Sequence, residues 1–357
     1  MTTKRYIIDI KETTDLLIEE SLLNKLDIIF KENNYSAYLL LCDKTTKKLF
    51  VKKAYASLQK LNVPVEIHEL PVGEESKNTT NLFRILEHII ERGFDRKSAV
   101  IALGGGVVGD IATTAAALYH RGIDCIQIPT TLLAQVDAAI GGKGAVNVRN
   151  YKNIVGIIRQ PRHLLIDPTL LYDLPERETK SGIGEVIKYA IALDYELFEI
   201  LEKNHKDIMP FFPDIITRCI NAKMAIVQKD PYEKRGHRQL LNFGHTLGHA
   251  IELYAHLTHG EAVAIGMAFA IKASQKLQML TKGDAVRAIN LLKTYHLPTT
   301  LSKKLITKET IYEHMRKDKK AINNIPTFVL LESIGKVKTG CTISKDIIEQ
   351  VLEEILV

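Results

Sequence analysis

The chain reads as two domains: an N-terminal α/β domain on a mainly parallel sheet over residues 1–175, then a mainly helical domain over 176–357. Three observations predict this. The length of 357 residues suits about two domains at roughly 150 residues each. In the first half, short apolar runs alternate with amphipathic segments, and in the second half helix-period patterns dominate. Taken in order, residues 36–42 (S-A-Y-L-L-L-C) form an apolar run suited to a strand buried on both faces. Residues 63–70 predict a second strand. In 81–93, Leu82, Phe83, Leu86, Ile89 and Ile90 recur at three- and four-residue spacing, and Gly93 closes the segment as a helix stop. Residues 98–103 predict a strand, the Ala-rich 107–118 a helix, and 125–128 and 164–166 further strands. The boundary is placed at Asp173-Leu174-Pro175. Beyond it, helices are predicted over 185–202, 215–229, 260–277 and 283–295, with a short ribbon at 326–331.

Composition narrows the function classes. With 46% hydrophobic and 25% charged residues the chain is an ordinary globular protein, not a disordered or fibrous one. The net charge of +6 is spread along the sequence and suits small anionic substrates as well as nucleic acid. The longest apolar stretches run to about a dozen residues, against the ~20 needed to span a bilayer. No secretory signal is evident at the N-terminus. Cys42, Cys125, Cys219 and Cys341 lie far apart without paired spacing, which excludes a disulfide framework and a cysteine zinc ribbon and points to a reducing, cytoplasmic setting.

Leu103-Gly104-Gly105-Gly106-Val107-Val108-Gly109-Asp110 follows a predicted strand and opens a predicted helix. It contains G-x-G-x-x-G at Gly104, Gly106 and Gly109, a turn on which backbone N–H groups can approach a pyrophosphate. A tight turn requiring positive φ would use the same residues. The ordinary Rossmann fingerprint sits after the first strand, with an acid about 20 residues later. Here two strands precede the glycines, and Asp43, ending an early strand, is the better ribose partner, so a Rossmann-like variant is expected.

Five of twelve histidines fall between 237 and 259. In Asn242-Phe243-Gly244-His245-Thr246-Leu247-Gly248-His249 two imidazoles four apart share a helix face, and His259-Gly260-Glu261 follows. Two or three imidazoles with a carboxylate such as Glu185, in Gly184-Glu185-Val186-Ile187-Lys188, are the donor set of a catalytic zinc site. By spacing alone His245 and His249 are equal candidates. Thr246 stands where a metalloprotease would carry its glutamate. Pro129-Thr130-Thr131, Asp137 and Gly141-Gly142-Lys143-Gly144 make a second Gly-rich cradle, and Lys152-Asn153, Lys188, Lys223, Arg238 and Lys319 add cations for phosphate or carboxylate. Gly144 where Walker A needs Ser or Thr disfavours ATP hydrolysis.

In combination the motifs G-G-G-V-V-G-D (104–110), P-T-T-L-L-A-Q-V-D (129–137), I-G-G-K (140–143), G-E-V-I-K (184–188), L-N-F-G-H-T-L-G-H-A (241–250) and H-G-E (259–261) resemble the 3-dehydroquinate synthase family of sugar-phosphate cyclases. The resemblance runs from about Asp43 to Lys320. It implies a redox-neutral conversion of 3-deoxy-D-arabino-heptulosonate 7-phosphate to 3-dehydroquinate and phosphate, in the shikimate pathway of aromatic amino acid and chorismate biosynthesis. The C5 hydroxyl is oxidised by NAD+, phosphate is eliminated, the ketone is reduced again, and the opened ring recloses by an aldol step. It also implies that Glu185, His245 and His259 hold Zn2+ or Co2+, with His249 near the substrate. Asp43, Glu74, Lys77, Gly105, Gly106, Val107, Asp110, Thr130 and Thr131 would line the dinucleotide, joined by Lys143 and Lys152. Asp137, Lys143, Lys152, Asn153, Lys188, Lys223, Arg238, Asn242 and Lys319 would surround the substrate. Arg121 would reach the neighbouring subunit's phosphate site in a homodimer. The run Lys229-Asp230-Pro231-Tyr232-Glu233-Lys234-Arg235 departs from the family pattern and bears on the register of Lys223. The rivals are a metal-dependent polyol dehydrogenase, another sugar-phosphate cyclase, and a non-catalytic binding protein.

Overall fold

The structure is a computed structural model that describes residues 12–149, 151–252, 254, 257–316 and 324–357. Lys319, with Lys317, Lys320 and His256, lies outside the described residues. The chain divides into two units, residues 1–130 with 141–169, and residues 131–140 with 170–357. The second unit therefore takes in a ten-residue segment from within the span expected to be N-terminal.

In the first unit the elements run β1 (Asp15–Ile18), β2 (Tyr38–Asp43), α1 (Lys52–Gln59), β3 (Val65–Leu70), α2 (Thr79–Glu91), β4 (Ala99–Gly104), α3 (Gly106–Leu118), β5 (Asp124–Pro129), β6 (Lys143–Val148), β7 (Tyr151–Ile158) and β8 (His163–Ile166). Six of the strands form one all-parallel sheet in the order β1-β8-β5-β4-β2-β3. β4 and all of β2 but its terminal Asp43 are apolar because both sheet faces are covered, and β4 is buried at every residue. One core lies under α2 and α3, where Ile85, Ile89, Val100, Ile111, Ala112 and Ala115 pack together. From β2 the chain steps outward to β3, and β4 then returns to the other side of β2. The strand order reverses between β2 and β4, so their carboxyl ends flank the crevice where open α/β sheets bind ligands.

The separate hairpin β6–β7 is antiparallel, with a register shift between Val146 and Val148. The sequence predicts no strand here and makes 141–144 a Gly-rich cradle. The structure gives those glycines a packing reason. A Cβ on Gly144 would lie 2.8 Å from Thr113 on α3, and Gly142 has φ +70° with Arg159 against it. β7 is exposed over Tyr151–Gly156, so it lacks the buried alternate face that would mark a strand in the sequence.

The second unit holds a π-helical turn at Ala134–Ala138, then α4 (Glu176–Ala192), α5 (Tyr195–Lys203), α6 (Phe212–Lys229), α7 (His245–Glu252), α8 (His259–Lys276), α9 (Lys282–Thr294), α10 (Lys308–Arg316), the antiparallel ribbon β9 (Thr327–Ser333) and β10 (Lys336–Thr342), and α11 (Lys345–Ile355). The single helix expected over 185–202 is two: Asp194 caps α5 by accepting from Leu197 N at 3.0 Å and breaks the run without glycine or proline. α8 forms the centre of this unit, with Val263, Ala264, Ile265, Met267 and Ala268 fully buried. Among the described residues no helix is long and apolar enough to cross a membrane.

Candidate active site

The glycine turn of the first unit lies at the carboxyl end of β4. None of Gly104, Gly105, Gly106 and Gly109 has a positive φ. The glycines serve close approach instead. A Cβ on Gly104 would meet Val108 at 2.6 Å, and one on Gly109 would meet Gln127 Oε1 at 2.9 Å. Gly105 caps α3 in extended conformation with no side-chain cap bond, and the first intrahelical bond closes only at Gly109 N. The N–H groups of 106–108 thus face outward at the positive end of a 13-residue helix.

Around this turn stand several of the expected residues. Lys77 is almost fully buried and bridges Asp110 (2.9 Å) and Glu74 (3.1 Å). Glu74 Oε1 also accepts from Asn147 Nδ2 at 2.8 Å. Asp43 closes β2 and uses Oδ1 to cap the turn that follows, accepting from Thr46 N at 2.8 Å. Thr130, fully buried at the end of β5, donates its N–H to Gly104 O while its Oγ1 has no partner among the described residues. A buried hydroxyl left unmatched beside a bare glycine turn fits a dinucleotide. On the hairpin, Lys143 and Lys152 have exposed side chains, and Asn153 is held at φ 54° with its N–H bonded to Asn147 Oδ1. Arg121 lies on an exposed tip where His120, Arg121 and Gly122 all take positive φ.

The second unit builds its site from buried charge. Glu185 on α4 is fully buried, and one donor atom each from Glu185, His245 and His259 lies within 4.8 Å of the others. Glycines bring the three helices this close. A Cβ on Gly184 would sit 2.6 Å from Gly260 O, one on Gly260 would sit 2.0 Å from Ser181 O, and one on Gly266 would meet Gly244 O at 1.8 Å. Each expected ligand is next to one of these glycines: Gly184, Gly244 and Gly260. The ring of His249 packs edge-on to His245, with centroids 5.2 Å apart, but His249 is not part of the three-donor group.

The donor geometry fits a metal. Glu185 Oε1 stands 3.4 Å from His259 Nε2 and 3.7 Å from His245 Nε2, and no hydrogen bond reaches it among the described residues. Nitrogen and oxygen ligands at about 2.0–2.1 Å from a tetrahedral zinc are themselves about 3.3–3.4 Å apart. Both imidazoles are oriented from behind, His245 Nδ1 by Phe243 O at 3.1 Å and His259 Nδ1 by Glu252 Oε2 at 3.5 Å. Burial works against the charge on Glu185, but Lys188, His259 and His245 overcome it and hold the carboxyl well below its usual range. Burial likewise opposes the proton on His259, while Glu185 and Glu252 push its pKa up; a cation would take that proton's place. Glu252 escaped the sequence reading, and its one signal is that it falls three residues past His249 on the same helix.

Lys188 pairs with Glu185 and lies 3.9 Å from Asp137 Oδ1. Lys223 on α6 donates to Asp137 Oδ1 at 2.9 Å and to its carbonyl at 2.6 Å, so the departure at 229–235 leaves Lys223 with the other expected residues. Thr131 Oγ1 accepts from Ala134 N at 3.2 Å and starts the turn that carries Asp137. Arg238, buried, and Asn242 lie in the 3-10 segment His237–Asn242 that leads into α7. A parallel sheet with a glycine turn suited to a phosphate at its switch point, and a helical unit with a two-histidine, one-carboxylate centre, define the frame of a nucleotide- and metal-dependent enzyme.

Comparison with known proteins agrees. The N-terminal profile of 3-dehydroquinate synthase matches residues 67–181, and its C-terminal profile matches 182–321. The 3-dehydroquinate synthase of Thermoanaerobacter pseudethanolicus is 41% identical over 330 residues, covering 90% of this chain and 92% of the relative. Among solved structures, 2-epi-5-epi-valiolone synthase from Streptomyces hygroscopicus with NAD+ and Zn2+ bound aligns with a TM-score of 0.89 at 28% identity, over 98% of this chain and 99% of that one. A 2-deoxy-scyllo-inosose synthase complexed with carbaglucose-6-phosphate, NAD+ and Co2+ aligns with a TM-score of 0.86 at 29% identity, over 96% of each chain. The chain belongs to the 3-dehydroquinate synthase family.

Proposed function

We infer that the protein is a lyase catalysing the 3-dehydroquinate synthase reaction, the conversion of 3-deoxy-D-arabino-heptulosonate 7-phosphate to 3-dehydroquinate and phosphate within the shikimate pathway. The observation that carries this reading is the buried, glycine-packed group of Glu185, His245 and His259 in a chain of this family. When bound, NAD+ supplies reversible oxidation at a carbinol carbon, and a divalent metal such as Zn2+ or Co2+ supplies Lewis acidity at its oxygen. Glu185, His245 and His259 would hold the metal. Gly105, Gly106 and Val107 would present N–H groups to the pyrophosphate, Asp43 would take a ribose hydroxyl, and Glu74, Lys77, Asp110, Thr130 and Thr131 would complete the dinucleotide site.

The remaining residues hold the substrate. Arg238 presents a planar fork suited to the carboxylate, and Lys188 and Lys223, both buried, are anchors for anionic oxygens. Lys143, Lys152, Asn153, Asn242 and Asp137 bind the phosphate and hydroxyls, Lys319 adds a further cation, and His249, beside the metal ligands, handles protons. Holding the substrate at several anionic points keeps one conformer through elimination and ring closure. We place the boundary between the nucleotide and metal domains at residue 175, and the enzyme in the cytoplasm, where its unpaired cysteines stay reduced. A homodimer is supported by the exposed Tyr151, Ile154 and Val155 on β7, and by Arg121 held in a strained exposed turn from which it reaches a neighbouring site.

Incubation with the heptulosonate phosphate and catalytic NAD+ tests the reading. Phosphate release without net NADH is expected, with 3-dehydroquinate as product; stoichiometric NADH would indicate a dehydrogenase instead. Glu185→Gln should abolish both turnover and bound zinc measured by elemental analysis, and full metal retention would remove Glu185 from the ligand set.

A further inference from the structure

Tyr189 follows Lys188 on α4, is fully buried, and has no part in the motifs or the metal group. Its phenol donates to Asp137 Oδ1 at 2.6 Å, and the face of its ring lies 4.6 Å from Lys188 Nζ. Asp137 itself sits in the π-helical turn Ala134–Ala138, a local widening found often at functional sites. Lys223 donates to the same Oδ1, and Lys188 approaches it. Two donors therefore bond one carboxylate oxygen, with a third group, the Lys188 ammonium, 3.9 Å from it. Oδ2 accepts no hydrogen bond among the described residues, and the Asp137 side chain keeps 25% of its surface accessible where Lys188 keeps 2%.

A carboxylate has two equivalent oxygens and turns freely unless its partners distinguish them. Ammonium groups on long stems follow either oxygen, since their three hydrogens rotate. A phenol on a packed ring has one direction to donate in, so it sets the carboxylate's orientation. We propose that Tyr189 is a positioning residue: with Lys223 it loads Oδ1 of Asp137 and leaves Oδ2 as the acceptor for a substrate hydroxyl, while its ring holds Lys188 in register. This rests on the reading of Asp137 as a substrate-binding residue.

The groups facing Asp137 are Tyr189, Lys188 and Glu185 from α4 and Lys223 and Cys219 from α6. Burial pushes the Tyr189 phenol well up, so it donates across the working pH range. Burial opposes the Asp137 charge, but Lys223, Lys188 and the Tyr189 hydroxyl together hold that carboxyl below its usual range.

Tyr189→Phe keeps the ring and removes only the donor. With zinc content, NAD+ affinity and thermal midpoint measured alongside, it should raise KM for the heptulosonate phosphate about tenfold, the scale of a lost hydrogen bond to a charged group. The kcat should fall by no more than about twofold, because the change weakens the hold on a substrate hydroxyl and leaves the reacting atoms untouched. A second variant, 3-fluorotyrosine at position 189, retains volume and hydroxyl but donates more strongly, and should lower KM rather than raise it; it carries the test even if Tyr189→Phe fails to fold. An unchanged KM in an active Tyr189→Phe enzyme, or a KM that ignores fluorination, overturns the inference alone. Absence of phosphate release by the unaltered protein would overturn the functional reading and this inference with it.

Discussion

The two units solve opposite binding problems with opposite materials. At the end of β4 the first unit offers backbone: outward N–H groups, no Cβ on three successive residues, and flanking side chains such as Lys77 already neutralised by Asp110 and Glu74. At the meeting of α4, α7 and α8 the second unit offers buried side-chain charge, Glu185 and Lys188 among them. Glycine matters in both, for different reasons. In the first it leaves room beside the turn, and in the second it removes volume between helices so that ligands 60 and more residues apart can converge. A backbone site tolerates change in its surroundings, whereas a site of buried charges depends on every partner being present.

That contrast can be tested in order of expected effect. The largest is Gly260→Ala, whose Cβ would lie 2.0 Å from Ser181 O and force α4 and α8 apart; loss of at least about 4 kcal/mol in denaturant unfolding is expected, with loss of bound zinc. Gly93→Ala in the first unit, at φ +68° with nothing within 4 Å, should cost only about 1 kcal/mol. Equal losses would break the comparison.

Asp137→Asn comes next. It removes the carboxylate shared by Lys188 and Lys223 and should cost about 3 kcal/mol, because the cations stay buried without it. Chemical denaturation with NAD+ affinity as the control for the first unit checks this.

Acid should separate the units more gently. Glu185 is held down at about 2, with burial opposing and Lys188 and the histidines prevailing, and Asp137 is also held below the usual range. Their folded pKa values lie below the unfolded ones, so the unfolded chain binds more protons. The stability they confer is complete above the unfolded values near pH 4, and falls away as the pH drops toward about 2. Hydrogen exchange resolved by segment should show α4 and the 134–138 turn losing protection over that range before β4 and α3 do. Simultaneous loss would mean that the buried charges do not dominate acid stability.

The last effect falls on binding rather than folding: Lys77→Met breaks the pairs to Asp110 and Glu74. A rise of about tenfold in the NAD+ dissociation constant is expected, equivalent to about 1.4 kcal/mol, with zinc content unchanged. Calorimetric titration measures the first and elemental analysis the second.

How much was legible follows from how locally each feature is encoded. β2, β4 and α2 could be read because full burial on both strand faces, or on one helix stripe, leaves unbroken apolar runs or a three-four spacing. The β6–β7 hairpin could not, since β7 stays exposed and its Tyr, Lys, Asn and Ile residues follow no alternation. β1 was missed as a four-residue edge strand whose partner β8 lies more than 140 residues away. The α4–α5 break hid behind continuous apolar spacing.

The site divides in the same way. Sequence by itself determined the chemical inventory: a bare turn for phosphate, imidazoles at four-residue spacing, an acid and a lysine one helical turn apart, and cations for an anionic substrate. These are short-range patterns written in neighbouring residues. Spacing left His245 and His249 equal, the family resemblance favoured His245, and the tertiary structure brings His245 into one group with Glu185 and His259; only the tertiary structure decided that Tyr189 and Lys223 converge on one oxygen of Asp137. Those choices depend on which helix faces meet and how closely glycine lets them pack, and that is a property of the whole core.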